Sequence, residues 1–399
     1  MKKHVVSALI ACALSVATAY SQDTGGAAPA PIIGPKDAQP LISSGSPAPA
    51  PTIGLKDAFA GKFLIGTAGD VPRGYSEAEL ANIKANYNII TPENCMKPMP
   101  THPAEETYNW TAPDAMVQWC ASNNIKVWGH TLAWHAQTAG WFFQGTNGEP
   151  VTRELAMERL KKHIMTEVGR YKGRVYGWDV VNEAINDNGN GQTENLRNDS
   201  WVRVIGPDFL TMAFKWAHEA DPDALLFYND YNIDQDTNYD RPTPQLTGKH
   251  SSSMLLLKRL IKDGAPINGV GIQGHWHLYN NIPDVEKAIA DYESLGLKVG
   301  ISELDVTATG SNSGAFPGGG GGGGTVTAEA LQQQAEVYAK LFDIFNRHAK
   351  SISRVTFWGI SDRRSWRSNQ RPLVFDAQLQ PKPALQAIID VGLGKNVTK

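Results

Sequence analysis

Trp178-Asp179-Val180-Val181-Asn182-Glu183-Ala184 and, far downstream, Val299-Gly300-Ile301-Ser302-Glu303-Leu304-Asp305-Val306 share one pattern. Each opens as the β-branched, apolar run of a strand buried on both faces and then ends in a carboxylate. Charged side chains are almost never fully buried without partners, so a glutamate at such a tip is either salt-bridged scaffold or a reactive group. Apolar runs of the same kind recur at 63–66, 87–91, 126–130, 175–181, 224–228, 269–273, 298–302 and 354–358. Between them lie segments whose apolar residues return every three to four positions, at 114–122, 155–168, 209–220, 252–263, 284–295 and 328–350. Eight such repeats predict a (β/α)8 TIM barrel rather than an open doubly wound sheet, and no Gly-x-Gly-x-x-Gly turn follows the first strand to hold a dinucleotide. In a barrel both glutamates open onto one face, the C-terminal mouth where barrel active sites lie.

The chain has 399 residues and a formal charge of -3, with no basic stripe. That balance points away from nucleic acid and from a polybasic membrane surface, and toward a neutral, polar ligand. Of its eleven tryptophans, Trp134, Trp141, Trp276, Trp358 and Trp366 sit beside polar residues, where an indole face can stack on a sugar ring, set against a core or half-core reading for about half of the tryptophans. Lys2 and Lys3 precede an apolar run at 5–17, and Ala17-Thr18-Ala19 offers a small-residue cleavage site. Residues 1–19 therefore read as a signal peptide with no membrane span, which predicts a secreted or periplasmic protein. Leu9-Ile10-Ala11-Cys12 permits an alternative, a lipid anchor on Cys12, although apolar sequence continuing past Cys12 argues against it.

Residues 20–52 are a Pro/Ala/Gly/Ser-rich linker, and 53–399 the catalytic domain. Inside the linker, the string beginning Pro29-Ala30-Pro31-Ile32 recurs as Pro49-Ala50-Pro51-Thr52 at the domain edge. The glycine run 318–324 follows strand seven and reads as a flexible insertion on the cleft rim. Cys95 and Cys120 could form one disulfide in an exported protein; two buried free thiols are the expectation.

Polar residues cluster at the C-terminal ends of nearly every strand. Strand two runs into Thr91-Pro92-Glu93-Asn94-Cys95-Met96-Lys97, and strand three into Gly129-His130-Thr131-Leu132-Ala133-Trp134-His135-Ala136-Gln137. Strand five ends in Asn229-Asp230-Tyr231-Asn232, with Tyr231 a candidate substrate contact. Strand six ends in Gln273-Gly274-His275-Trp276-His277, and strand eight in Phe357-Trp358-Gly359 with Trp366 beyond. A lone strand-end histidine or asparagine is more often a satisfied hydrogen-bonding residue than a ligand contact. So many on one face make a site.

In their order, these strings resemble glycoside hydrolase family 10, the retaining endo-β-1,4-xylanases, over about residues 55–387. The resemblance implies Glu183 as general acid/base and Glu303 as nucleophile, with His275 and Asp305 orienting the nucleophile and Asn182 holding a sugar 2-hydroxyl. It implies that Glu93, Asn94, Lys97, His130, Trp134, Gln137, Gln273, Trp358 and Trp366 line the sugar subsites. Xylan and xylo-oligosaccharides are the implied partners, no cofactor or metal is expected, and the chain is expected to be a monomer. Retaining cleavage needs its carboxyls about 5–5.5 Å apart, the acid kept protonated and the nucleophile kept ionised by donors such as His275. The sequence departs from the family at Cys95, usually Glu, at Pro98, usually Trp, and at Trp128, usually Arg. All three fall at the ends of strands two and three, which places their expected effect on the distal glycone side. Three other readings compete: a metal hydrolase suggested by His275-Trp276-His277, a binding-only barrel, and a retaining β-1,4-glucanase.

Overall fold

The computed structural model describes residues 53–145, 149–238, 245–309 and 326–395. The expectations for the leader 1–19, the linker 20–52 and the glycine run 318–324 fall outside them. The strands are β1 (Leu64–Ala68), β2 (Ile89–Thr91), β3 (Lys126–Trp134), β4 (Gly177–Asn182), β5 (Leu225–Asp230), β6 (Gly269–Ile272), β7 (Lys298–Thr307) and β8 (Ile352–Phe357). Each pairs in parallel with the next, and β8 returns to β1 with Thr67 opposite Phe357, so the sheet closes. Helices α1 (Glu77–Asn86), α2 (Thr111–Ser122), α3 (Arg153–Arg170), α4 (Phe209–Ala220), α5 (Lys249–Lys262), α6 (Ile282–Ser294), α7 (Ala328–Arg347) and α8 (Pro383–Gly392) follow the strands in turn. This is the (β/α)8 barrel that the repeat count predicts.

Outward strand residues such as Ile65, Ile90, Val127, Val180, Leu226 and Val299 join the inner faces of the helices in one continuous core. Inside the barrel a second cluster packs Ile89, Trp128 and Phe227, with the Trp128 and Phe227 rings edge to face at 4.8 Å. Such bulk fits because a neighbouring strand presents no side chain there. A Cβ on Gly177 would lie 2.5 Å from the Trp128 ring.

Two strands run further than the apolar patterns predict. β3 continues to Trp134 because Ala133 and Trp134 still pair with Val181 and Asn182. β7 continues to Thr307 because Asp305–Thr307 pair with His275–His277, a short strand after β6. Glu303 therefore stands within its strand rather than at the tip, whereas Glu183 directly follows the last residue of β4. Polar residues hid the extension of β7, and in β3 the polar pair His130-Thr131 interrupts an apolar run that resumes at Leu132.

Helix α1 escapes a periodicity reading because it buries only Glu79, Ile83 and Asn86. It is fixed instead by its first turn. Ser76 accepts from the Glu79 amide, and Glu79 accepts from the Ser76 amide at 2.7 Å, the reciprocal capping pattern. Helix α8 opens with Pro383, a residue preorganised for a helix start. Cys95 and Cys120 are buried and free, and burial pushes the Cys120 thiol up to about 12. Among the described residues no helix is long and apolar enough to cross a membrane.

Arg364, beyond β8, grips the α1 cap with Nε and Nη2 on Glu79 at 2.7 and 3.0 Å. Those hydrogen bonds, with help from Ser76, hold the Glu79 carboxyl down at about 2 against a burial effect that raises it. A depressed folded value means that the contribution is complete above the unfolded value of about 4.3 and is lost as pH falls through about 2. Because Arg364 stays partly exposed, screening limits the pair, and Glu79→Gln is expected to cost about 1 kcal/mol at pH 7. Urea denaturation of both proteins should show the gap narrowing as pH drops from about 4.5 toward 2.

Candidate active site

The two glutamates enter the cleft from opposite sides of the barrel and meet different donors. Glu183 turns off the end of β4 with a left-handed backbone, φ 57°, and its amide donates to the Asn229 carbonyl at 2.8 Å. Its Oε2 accepts from Trp134 Nε1 at 2.8 Å, and its Oε1 from Gln273 Nε2 at 2.9 Å and Asn182 Nδ2 at 3.2 Å. All three donors are neutral. Glu303 accepts from Asn229 Nδ2 at 3.0 Å on one oxygen and lies 3.2 Å from His275 Nε2 on the other.

A line of amides joins them. Gln273 Nε2 reaches both Glu183 and Asn182 Oδ1; Asn229 Nδ2 reaches both Asn182 Oδ1 and Glu303. Ser302 Oγ donates to Asn229 Oδ1 at 2.6 Å, which fixes the amide the right way round. Each carboxylate is thereby aimed by side chains that themselves have one satisfied orientation.

Behind Glu303, His275 Nδ1 donates to Asp305 Oδ2 at 3.0 Å. Asp305 is fully buried and also accepts from Trp366 Nε1 at 2.9 Å and Arg367 Nη1 at 3.1 Å. Burial would raise its pKa, yet Arg367 and His275 outweigh burial and hold it low. Burial likewise lowers His275, but the Asp305 and Glu303 carboxylates overcome it and lift the imidazole to about 9. His275 is thus a cation clamped between two anions, able to donate from both nitrogens.

The remaining expected residues spread along the mouth. Lys97 Nζ donates to Asn94 Oδ1 at 3.3 Å and lies 5.0 Å from the Trp134 ring centre. Burial lowers its ammonium while Glu303 and Glu93 raise it, and burial followed by the neighbouring Asp70 raises Glu93. His130 Nδ1 donates to Asp179 Oδ2 at 2.9 Å and meets the edge of Trp358 at 5.6 Å. Trp366 is 39% exposed, an open indole face at the rim beside His275. Tyr231 lies on the Glu183 side, donating to Asp187 and accepting from Arg197, whose Nε donates to the Glu183 carbonyl. Gln137 is exposed in a left-handed turn, its carbonyl accepting from the Met99 amide two residues beyond Lys97.

Several working residues escaped the sequence reading. Asn229 lies near the end of strand five, yet its side-chain bond to Glu303 and its backbone bond to Glu183 are tertiary facts. Asp179 and Arg354 sat inside apolar runs, and Arg367 and Arg197 in loops with no pattern at all. The departures at Cys95 and Trp128 also act elsewhere than expected. Cys95 Sγ packs 3.9 Å from Met116 Sδ in the core, and Trp128 fills the barrel interior while donating from Nε1 to Asp179. Both side chains are buried, Cys95 from the turn after β2 in the main core and Trp128 from β3 in the barrel interior. Among the described residues no three His, Cys, Asp or Glu side chains converge as a metal-binding group.

A parallel barrel with two carboxylates on strands four and seven has the architecture of a barrel glycosidase. The chain belongs to glycosyl hydrolase family 10, whose profile matches residues 54–391. It is 38% identical to endo-1,4-beta-xylanase B of Paenibacillus barcinonensis over 341 residues, which cover 83% of this chain and 96% of that protein. The crystal structure of xylanase XynB from the same organism, complexed with a conduramine derivative, superposes with a TM-score of 0.75 at 37% identity, covering 85% of this chain and 99% of that one. A mutant of TsXylA, an intracellular xylanase from Thermoanaerobacterium saccharolyticum, in complex with xylotriose, gives a TM-score of 0.75 at 36% identity, with 85% and 99% covered.

The clamp on His275 makes a direct prediction. A folded value above the ordinary 6.5 means that its stabilisation is complete below that pH and is lost as pH rises through about 9. Nitrogen-15 spectra should show both His275 ring nitrogens protonated at pH 7 and losing a proton near pH 9. A neutral ring at pH 7 would contradict the clamp.

Proposed function

We propose that this glycoside hydrolase cleaves internal β-1,4 linkages of xylan with retention of configuration, Glu183 serving as general acid/base and Glu303 as nucleophile. The observation that carries the assignment is the contrast between the two carboxylate environments. Glu303 receives an amide and an imidazolium, donors that favour the charged form. Glu183 receives its hydrogen bonds from neutral donors, has the His135 imidazole 3.9 Å from Oε2, and directly follows the end of β4, where it can pass a proton to a leaving oxygen. Glu303 attacks the anomeric carbon as Glu183 protonates the departing sugar; Glu183 then takes a proton from water, which releases the glycosyl ester.

Asn182, tethered between the two glutamates, is well placed to meet a 2-hydroxyl on the reacting sugar. His130, Lys97, Asn94, Glu93, Trp358 and Trp366 serve the glycone side, and Tyr231 the leaving-group side. Relatives named as xylanases, one holding xylotriose, support xylan as substrate. We further infer that the chain acts as a monomer and is exported with loss of residues 1–19, the export supported by the leader pattern. The mass of the mature protein recovered from culture checks the cleavage, since a lipid-modified start at Cys12 would be heavier by its acyl chains.

Glu303→Ala is expected to abolish turnover on xylan, with product anomers of the wild type followed by proton NMR to establish retention. Near-native activity in that variant would sink the assignment, and faster hydrolysis of carboxymethyl-cellulose than of xylan by the wild type would favour the glucanase reading. Glu183→Ala should lose xylan hydrolysis but regain turnover of aryl xylosides when azide is added. Good leaving groups need little acid, and azide displaces Glu303 to give a β-glycosyl azide. Failure to detect that azide would count against Glu183 as acid/base.

A further inference from the structure

Arg354 stands on β8, inside the barrel and fully buried. The centre of its guanidinium lies 3.7 Å from the centroid of the Trp128 ring, and its Nη2 donates to Asp179 Oδ1 at 3.3 Å. The strand beside it is shaped for it. Gly300 of β7 pairs with Arg354 in register, and a Cβ there would lie 2.1 Å from Arg354 Nη1. Burial lowers the guanidinium to about 10 while Asp179 and Glu303 oppose the shift, so the group is charged below that pH.

As scaffold this is a poor choice. Nε and Nη1 have no hydrogen-bond partner among the described residues, and the surrounding layer is Trp128 and Phe227. An apolar side chain would fill that space without a desolvation penalty. What only the arginine supplies is a fixed positive charge under the cleft floor. Glu303 lies three residues beyond Gly300 on β7, a rise of about 10 Å toward the mouth, and is one of the two carboxylates that oppose burial at Arg354. At that range, in a water-poor interior, a unit charge moves a carboxylate by about one pH unit.

We propose that Arg354 is a positioning residue whose charge, held in place by Asp179, keeps Glu303 ionised for attack. The proposal rests on Glu303 being the nucleophile. The other charges facing Glu303 are His275 with Asp305 behind it from the β6 and β7 ends, and Lys97 and Glu93 from the turn after β2, with Glu183 across the cleft. Those facing Arg354 are Asp179 and Glu303. Asp179 also carries His130, so one ion pair sets both the field under the nucleophile and the direction of a sugar-facing imidazole.

The test is a carbon-13 titration of side-chain-labelled glutamate, with the Glu303 signal assigned by its loss in Glu303→Gln. It is run on wild type, Arg354→Met, Arg354→Lys and Asp179→Asn, beside the pH profile of kcat/KM on an aryl β-xylobioside. Arg354→Met should raise the Glu303 titration by about one pH unit, with about a tenfold loss of kcat/KM on the acid side. Asp179→Asn, by removing the opposing charge, should lower the Glu303 titration, and Arg354→Lys should leave it in place. A role in packing alone gives no such opposite pair of shifts. A folded Arg354→Met in which Glu303 titrates as in wild type overturns the proposal. If Arg354→Met does not fold, an unchanged or raised titration in Asp179→Asn overturns it. A Glu303 titration that moves as expected without moving the acid limb supports the charge effect and refutes the nucleophile reading.

Discussion

The Asp305, His275 and Glu303 chain is the interaction on which the rest of the mouth depends. A carboxylate at 5% exposure, proposed to attack in its charged form, needs donors in place of water. The His275 ring supplies one only because a second buried carboxylate holds its other nitrogen. That second carboxylate is itself tolerable only because Trp366 and Arg367 reach in from the loop after β8. The extension of β7 past Glu303 follows from the same need: Asp305 pairs in register with His275, so backbone pairing and side-chain pairing bring the two together at once.

That dependence explains what the sequence could and could not tell. The barrel was legible because a strand buried on both faces must be apolar throughout, and eight such runs stand out against amphipathic helices. Glu183 and Glu303 were legible for the opposite reason, as charges breaking those runs. Helix α1 was not, since its stability lies in the Ser76 and Glu79 cap and in Arg364 rather than in an apolar stripe. Asn229, Arg354 and Arg367 were not, because each matters through a partner far away in the chain, and spacing along the sequence carries no information about which strand ends face each other.

The departures at Cys95, Pro98 and Trp128 gain a physical reading from their positions. Cys95 lines the core beside Met116, and Pro98 opens the short helix Pro98–Thr101, for which Lys97 is the preceding cap residue. Trp128 occupies the barrel interior where resemblance leads one to expect an arginine, yet a cation is present in that layer, contributed by Arg354 from β8. The interior thus holds a cation next to Asp179, delivered by β8. Indole and guanidinium stack, and the indole N–H still serves Asp179.

The asymmetry between the two glutamates also governs the second half of the proposed reaction. When Glu303 becomes an ester its negative charge disappears, but His275, held by Asp305, keeps its proton. Relative to the resting site, the cleft floor is then more positive by one charge. That change favours an anion at Glu183, the state needed to take a proton from the incoming water. The amide line from Glu303 through Asn229, Asn182 and Gln273 keeps Glu183 in place while this happens, since each of its members retains a partner other than the nucleophile. One arrangement of donors thus suits both steps: the charge that moves is on the glutamates, and the groups that read it stay fixed.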